Sequence, residues 1–195
     1  MSDPPAFQTV NLRDPRQDVH RERDHPRELN RYRVAESLLP EDASGLSVLE
    51  LGGGIAELSR RMTDKGIVVT FVDLSEHNVA KAADLGLATH RLDLNLGLGV
   101  FEDAQFDGVV MLEIIEHVVA AEQLLAEVAR ILKPGGTLAV IHWRTDIETP
   151  RGPNLAIRPP PGQIIAWATE LGGLGLREPS YLLPPWHFGI AFFRE

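Results

Sequence analysis

Residues 46–54 read Leu-Ser-Val-Leu-Glu-Leu-Gly-Gly-Gly, and this short run decides the character of the fold. Six residues that are apolar apart from Ser47 and Glu50 suit a strand buried on both faces, not one that alternates between core and water. Glycines at 52, 53 and 54 let the backbone turn tightly and come close to a ligand. The next stretch, Ile55 to Lys65, has helical spacing, so the opening unit is strand, glycine turn, helix.

The same unit recurs on the C-terminal side. Ile67 to Val72, IVVTFV, is apolar and β-branched, ends at Asp73 and is followed by a helix from Ser75, a suitable N-cap, to Leu85. Ala88 to Leu94 is a third strand, the stretch around Leu94 to Gln105 a loop, and Phe106 to Leu112 a fourth strand. From Val119 to Leu132 the pattern is helical, with Leu124, Leu125, Val128, Ile131 and Leu132 on one face, and Lys133-Pro134-Gly135-Gly136 stops it. Thr137 to Trp143 is a fifth strand. N-terminal to the opening run, Leu29, Tyr32, Val34, Ala35, Leu38 and Leu39 predict a helix from Arg27 until Pro40 ends it.

Beyond a proline-rich loop, Thr145 to Pro161, the spacing predicts a helix over Gly162 to Leu171 and strands over Leu176 to Leu183 and His187 to Phe193. Only Pro184-Pro185-Trp186 separates these two strands. That is too short for a crossover helix, so the last strand is expected to run antiparallel. Strands alternating with helices imply a mostly parallel sheet covered on both faces, because right-handed crossovers leave few other solutions. The expectation is an α/β fold in three layers around seven strands.

Composition narrows the function. At 195 residues, 44% hydrophobic and 24% charged, the chain suits one domain over residues 27–195. Residues 1–26 are polar, with prolines, arginines and aspartates, and read as an N-terminal arm or a lid over a ligand. No apolar run is long enough to cross a bilayer and no secretory pattern opens the sequence, so a cytoplasmic protein without membrane insertion is expected. There are no cysteines, which removes cysteine-ligated zinc and cysteine nucleophiles. Residues 1–40 hold seven arginines against seven acids, while residues 41–195 hold 12 basic against 21 acidic residues. Such a body lacks the basic footprint of a nucleic-acid binder and points to a small-molecule partner.

In an open α/β sheet ligands bind beyond the carboxyl ends of the strands. Those ends carry Glu50, Asp73, Asp93 and Leu112-Glu113. The dinucleotide pattern G-x-G-x-x-G fails at its third glycine, where Glu57 stands, while Gly52-x-Gly54-x-Ala56 preceded by Glu50 suits a nucleoside turn. Asp73 is placed to accept both ribose hydroxyls, although an acid there also suits a helix start. Asp93 is placed for an adenine amino group, with Leu94 as an apolar wall.

The set VLELGGGIAELSRRM, TFVDLSEHNVAKA, HRLDLN, FDGVVMLEIIEHV and ILKPGGTLAV resembles, in order and spacing, the motifs of class I S-adenosylmethionine-dependent methyltransferases, which have a Rossmann-like fold. The likeness spans residues 46–143. At LEIIEHV and LKPGG it resembles ubiquinone-biosynthesis and related small-molecule enzymes. The resemblance implies that Glu50 and Gly52, Gly53 and Gly54 hold the methionine part of S-adenosylmethionine. It also implies that Asp73 with Leu74 holds the ribose, that Asp93 with Leu94 holds the adenine, and that Glu113 lies beside the reacting centre.

For the acceptor, methyl transfer from a sulfonium needs alignment more than a strong base. A hydroxyl acceptor calls for a nearby histidine. His117 and His142 are the candidates, with His187 a third. Trp143, Arg144, Arg151 and Arg158 follow strand five, and guanidinium groups there suit an anionic acceptor as readily as they suit a solvated loop. Residues HWR at 142–144 also resemble nodulation-type N-methyltransferases of amino sugars. The spacing Glu113-x-x-Glu116-His117, with His142, is similar to the metal cluster of small-RNA terminal 2′-O-methyltransferases. The further histidine-rich segment of those enzymes is absent, and no metal is expected. The reading is therefore transfer of a methyl group to oxygen or nitrogen of a small molecule, with S-adenosylhomocysteine as the other product. The alternatives are that RNA methyltransferase and a silent, cofactor-binding partner domain.

Overall fold

The strand that opens the pattern, β1 (Ser47–Leu51), lies inside the sheet, hydrogen-bonded in parallel to β2 (Val68–Asp73) on one side and β4 (Phe106–Leu112) on the other. That position accounts for its mostly apolar residues, since helices cover both of its faces. The computed structural model describes residues 26–40, 42–143, 159–183 and 187–195. The sheet runs β3-β2-β1-β4-β5-β7-β6, with β3 at Ala88–Arg91, β5 at Leu132–Trp143, β6 at Leu174–Leu183 and β7 at His187–Arg194. β1 to β5 pair in parallel, and β7 inserts antiparallel between β5 and β6, as the short 184–186 connection requires.

Two apolar layers separate by strand alternation. Leu49, Leu51, Val109, Met111, Leu138 and Val140 face α4 (Ala121–Ile131) and its buried Leu124, Leu125 and Val128. Val48, Val110, Ala139 and Ile141 face α1 (Pro26–Leu38) and α2 (Glu57–Thr63), meeting Tyr32, Ala35, Leu58 and Met62. Helix α3 (Glu76–Asp84) is capped by Ser75, whose Oγ accepts from Asn78 N–H, and α5 (Pro161–Ala166) passes into a π-helical turn at Trp167–Leu171. The seven-stranded three-layer sandwich is thus present as expected.

Several boundaries shift by a residue or more from the sequence pattern, and three of the shifts have a visible cause. The third strand stops at Arg91, not Leu94, because the Asp93 carboxylate accepts from Asn95 N–H and caps a 3₁₀ turn at Leu94–Leu96. Helix α2 begins at Glu57 instead of Ile55, because the turn continues through Ala56 at φ 60°. α4 ends at Ile131, just before Lys133-Pro134-Gly135-Gly136, but β5 begins at Leu132, paired with Phe106, instead of at Thr137, so that these four residues form an irregularity inside the strand. Gly135 supplies the positive φ, 78°, that this irregularity requires.

Among the described residues no helix is long and apolar enough to cross a membrane. The polar arm, residues 1–25 in its greater part, lies outside the described residues.

Candidate active site

The carboxyl ends of β1, β2, β3 and β4 share one edge of the sheet, and each end or the loop that follows it contributes a carboxylate. The turn after β1 is pinned to β2: Gly52 and Gly53 N–H both donate to Val72 O, at 2.8 and 3.2 Å. A Cβ at Gly53 would lie 2.2 Å from Phe71 Cε2, and one at Gly52 would lie 2.4 Å from Ile114 Cδ1. Gly52 and Gly54 also take φ of 71° and 56°, so the backbone path needs glycine on both steric and conformational grounds. At Gly54, by contrast, no heavy atom stands within 4 Å of where a Cβ would be. The turn is therefore packed from beneath and open outward, a shape that admits a ligand against main chain.

Asp73, the last residue of β2, accepts Gly54 N–H through Oδ2 at 2.9 Å and Ser75 N–H through Oδ1 at 2.8 Å. Each oxygen keeps a lone pair for a further donor. Leu74 beside it is exposed. Asp93 is half-buried two residues beyond β3; its Oδ1 accepts from Asn95 N–H and Nδ2–H at 2.9 and 3.0 Å. Asn95 Oδ1 accepts from Val119 N–H at 2.8 Å, which ties the turn after β3 to the loop after β4. Leu94 is buried.

Glu50 points to the α1/α2 side of the sheet and is 2% exposed. Ser59 of α2, fully buried, donates its hydroxyl to Glu50 Oε2, and the Ser59 N–H also bonds the carboxylate. Burial raises the Glu50 pKa to about 7, against the opposing pull of these two Ser59 bonds; the Asp73 charge adds to the rise and Arg31 opposes it. The carboxyl is thus held near the midpoint of its titration at neutral pH.

Glu113 follows β4 at φ 52°, an unusual value for a non-glycine residue, fixed by its N–H donating to Ile141 O at 2.8 Å. Its carboxylate pairs with Arg31 of α1, both side chains being largely buried, and the Arg31 guanidinium stands 5.2 Å from the Tyr32 ring centroid. Glu116 and His142 are each 1% exposed, whereas His117 is exposed at the end of the 3₁₀ turn Ile115–His117. Trp143 closes β5 opposite His187, the first residue of β7. Arg144, Arg151 and Arg158 lie outside the described residues. Among the described residues no group of three or more His, Asp or Glu is placed to hold a metal.

Sequence reasoning passed over Arg31, Ser59, Phe71 and Ile114. Signals for two of them exist. Arg31 lies one turn before Ala35 on the apolar stripe of α1, and Ser59 lies between Ala56 and Met62, both buried, on α2. A polar group on a buried helical stripe needs a partner, and here the partners are the strand-end acids.

A family profile described as a methyltransferase domain matches residues 49–140. A ubiquinone biosynthesis O-methyltransferase of Caulobacter vibrioides is 37% identical over 106 residues, which cover 49% of this chain and 40% of that protein. The chain thus spans about two fifths of the length of this curated relative. Among solved structures, a methyltransferase from Mesorhizobium loti superposes with TM-score 0.71 at 17% identity, covering 83% of this chain and 96% of that one. The N-methyltransferase NodS of Bradyrhizobium japonicum, solved with S-adenosylhomocysteine, gives 0.69 at 15% identity, covering 88% and 89%. At such identities the structural likeness is one of fold. Residues 49–140, a little under half of the chain, are thus similar to a methyltransferase domain, and the strand order is that of the fold shared with these solved methyltransferases.

Proposed function

We propose that the protein transfers a methyl group from S-adenosylmethionine to oxygen or nitrogen of a small-molecule acceptor. The observation that carries this reading is the glycine turn, packed against Phe71 and Ile114 yet open at Gly54, with Glu50 and Asp73 on either side of it. Three features of this turn fit the cofactor. The open backbone at Gly54 admits a nucleoside, both Asp73 oxygens retain acceptor capacity for ribose hydroxyls, and Asp93 with the Leu94 wall suits adenine. The amino-acid end would lie along Gly52 and Gly53 between Glu50, for its ammonium, and the Arg31–Glu113 pair. When bound, S-adenosylmethionine supplies a methyl group already activated on a sulfonium.

The chain's own residues then have to bind, orient and exclude water. Glu113, fixed by Ile141 O and Arg31, bounds the reacting side of the site. His117, exposed beside the loop after β4, is placed to take a proton from a hydroxyl acceptor; the buried His142 would act from beneath the acceptor face. Acceptor binding is assigned to Trp143, Arg144, Arg151 and Arg158 by residue type alone, the guanidinium groups suiting an anionic small molecule, while the acidic body lacks the basic footprint of a nucleic-acid binder. The reaction is assigned to the cytoplasm and needs no metal.

Calorimetric titration with S-adenosylmethionine, S-adenosylhomocysteine and NAD tests the cofactor. Binding of both sulfur nucleosides, and not NAD, is expected, and tight NAD binding alone would sink the reading. Methyl transfer to an acceptor should then survive a chelator.

A further inference from the structure

The mechanism above uses Glu50 but assigns nothing to Ser59. Ser59 is fully buried in the first turn of α2, and Glu50 is nearly so at the end of β1. The Glu50 carboxyl carbon stands 3.1 Å from where a Gly53 Cβ would be, so the acid lies directly against the turn proposed to carry the cofactor's amino-acid end. The groups around it are few. From α2 come the Ser59 hydroxyl and N–H, from β2 the Asp73 carboxylate, and from α1 the Arg31 guanidinium, itself paired with Glu113 after β4. Glu57, also near the start of α2, is engaged by Arg60 at 2.8 Å. Burial and the Asp73 charge oppose ionisation of this acid, and the Ser59 hydroxyl is the largest of the groups that favour it, ahead of the Ser59 N–H and Arg31.

We propose that Ser59 is a positioning residue for cofactor binding: its hydroxyl and N–H hold the Glu50 carboxyl against the glycine turn and ease its ionisation, so that where Glu50 is protonated in the free protein a cofactor ammonium binds with release of that proton. The proton balance is simple. The neutral Glu50 carboxyl of the free protein gives its proton to solvent, and the carboxylate left behind pairs with the incoming ammonium; no other bond changes. Affinity then rises with pH while Glu50 is protonated in the free protein, and levels off once it is ionised. It falls again only where the ligand's own amino group loses its proton.

This inference rests on the cofactor reading, and the two can fail separately. The test titrates the full chain with S-adenosylhomocysteine and with 5′-methylthioadenosine, which has the same nucleoside thioether but no amino-acid end. Both are measured across a pH series and in two buffers of different ionisation heat. With S-adenosylhomocysteine, proton release is expected below neutrality, with affinity rising by up to about tenfold per pH unit. With methylthioadenosine the affinity should be flat. Ser59→Ala should move the rise to higher pH by about one unit, leaving S-adenosylhomocysteine roughly tenfold weaker near pH 6.5 and close to wild type above pH 8.5. Methylthioadenosine binding should be unaffected.

A merely structural serine would weaken both ligands alike at every pH, and that outcome overturns the proposal. So does tight S-adenosylhomocysteine binding by the wild-type protein without proton release, a result that leaves the cofactor reading standing and needs no variant to fold. If neither nucleoside binds, both readings fall together.

Discussion

Two carboxylates at opposite ends of the same strand pair behave in opposite ways. At the amino end of β4, Asp107 accepts Ser47 N–H at 2.9 Å and both of its oxygens meet Lys133 Nζ at 2.9 Å. Burial pushes its pKa up, but Ser47 N–H and the Lys133 ammonium outweigh that, and the net shift is downward. At the carboxyl end of β1, Glu50 is more deeply buried, has Ser59 as its direct donor among the described residues, and is pushed up to about 7 by burial. The first end is closed on itself: its donors and acceptor match. The second is left short of positive charge, which is a cost to the free protein and an attraction to a cationic ligand. The contrast separates a carboxylate that holds strands together from one that waits for a partner.

The largest expected effect is at the open end. Gly53→Ala drives a methyl group into Phe71, and should lower stability by about 1–3 kcal/mol while abolishing S-adenosylhomocysteine binding, read by thermal melting and calorimetry. Retained binding would mean that the turn is not packed against its neighbours as described. Next is Glu50→Gln. The folded pKa of Glu50 lies above the ordinary value of 4.5, at about 7, so its favourable contribution is complete below 4.5 and is lost as pH rises through 7. That amounts to about 3 kcal/mol. Glutamine stays neutral, so the variant should melt at a higher temperature than wild type at pH 8 and at a similar one at pH 4.5, while binding cofactor less well. If its melting point at pH 8 falls instead, the carboxylate is structural and the comparison collapses.

Asp73→Ala should weaken cofactor binding about ten- to a hundredfold, since bonds to a charged group contribute roughly 1.5–3 kcal/mol each, with a smaller loss of stability from the freed Gly54 N–H. Unchanged affinity would remove Asp73 from the site. The smallest effect belongs to the closed end. Asp107→Asn should cost about 0.5–1.5 kcal/mol of stability at neutral pH and leave cofactor affinity untouched. Because the folded Asp107 pKa is lowered, its contribution is present above the ordinary 3.8 and disappears as pH falls below it, so mutant and wild type should converge in acid.

Legibility followed chain distance. The strands, the glycine turn and the acids at 50, 73 and 93 were readable because each depends on a local rule: apolar runs make buried strands, and loops after parallel strands carry the ligand groups. Asp93 stands at the carboxyl edge of the sheet although its strand ends earlier, because the same carboxylate caps the following turn. The helix does stop just before Lys133-Pro134-Gly135-Gly136, but the start of β5 was misjudged because nothing local shows that Leu132 pairs with Phe106 across the sheet.

By itself, then, the sequence determined the alternation of strand and helix, the antiparallel return after residues 184–186, and which carboxylates stand at strand ends. Only the tertiary structure decided how those carboxylates are charged. Whether Glu50 meets a serine, whether Glu113 meets Arg31 from a helix 82 positions earlier, and whether Asp107 meets Lys133 are matters of contacts between elements distant in the chain. Ionisation depends on burial and neighbouring charge, and both are set by packing.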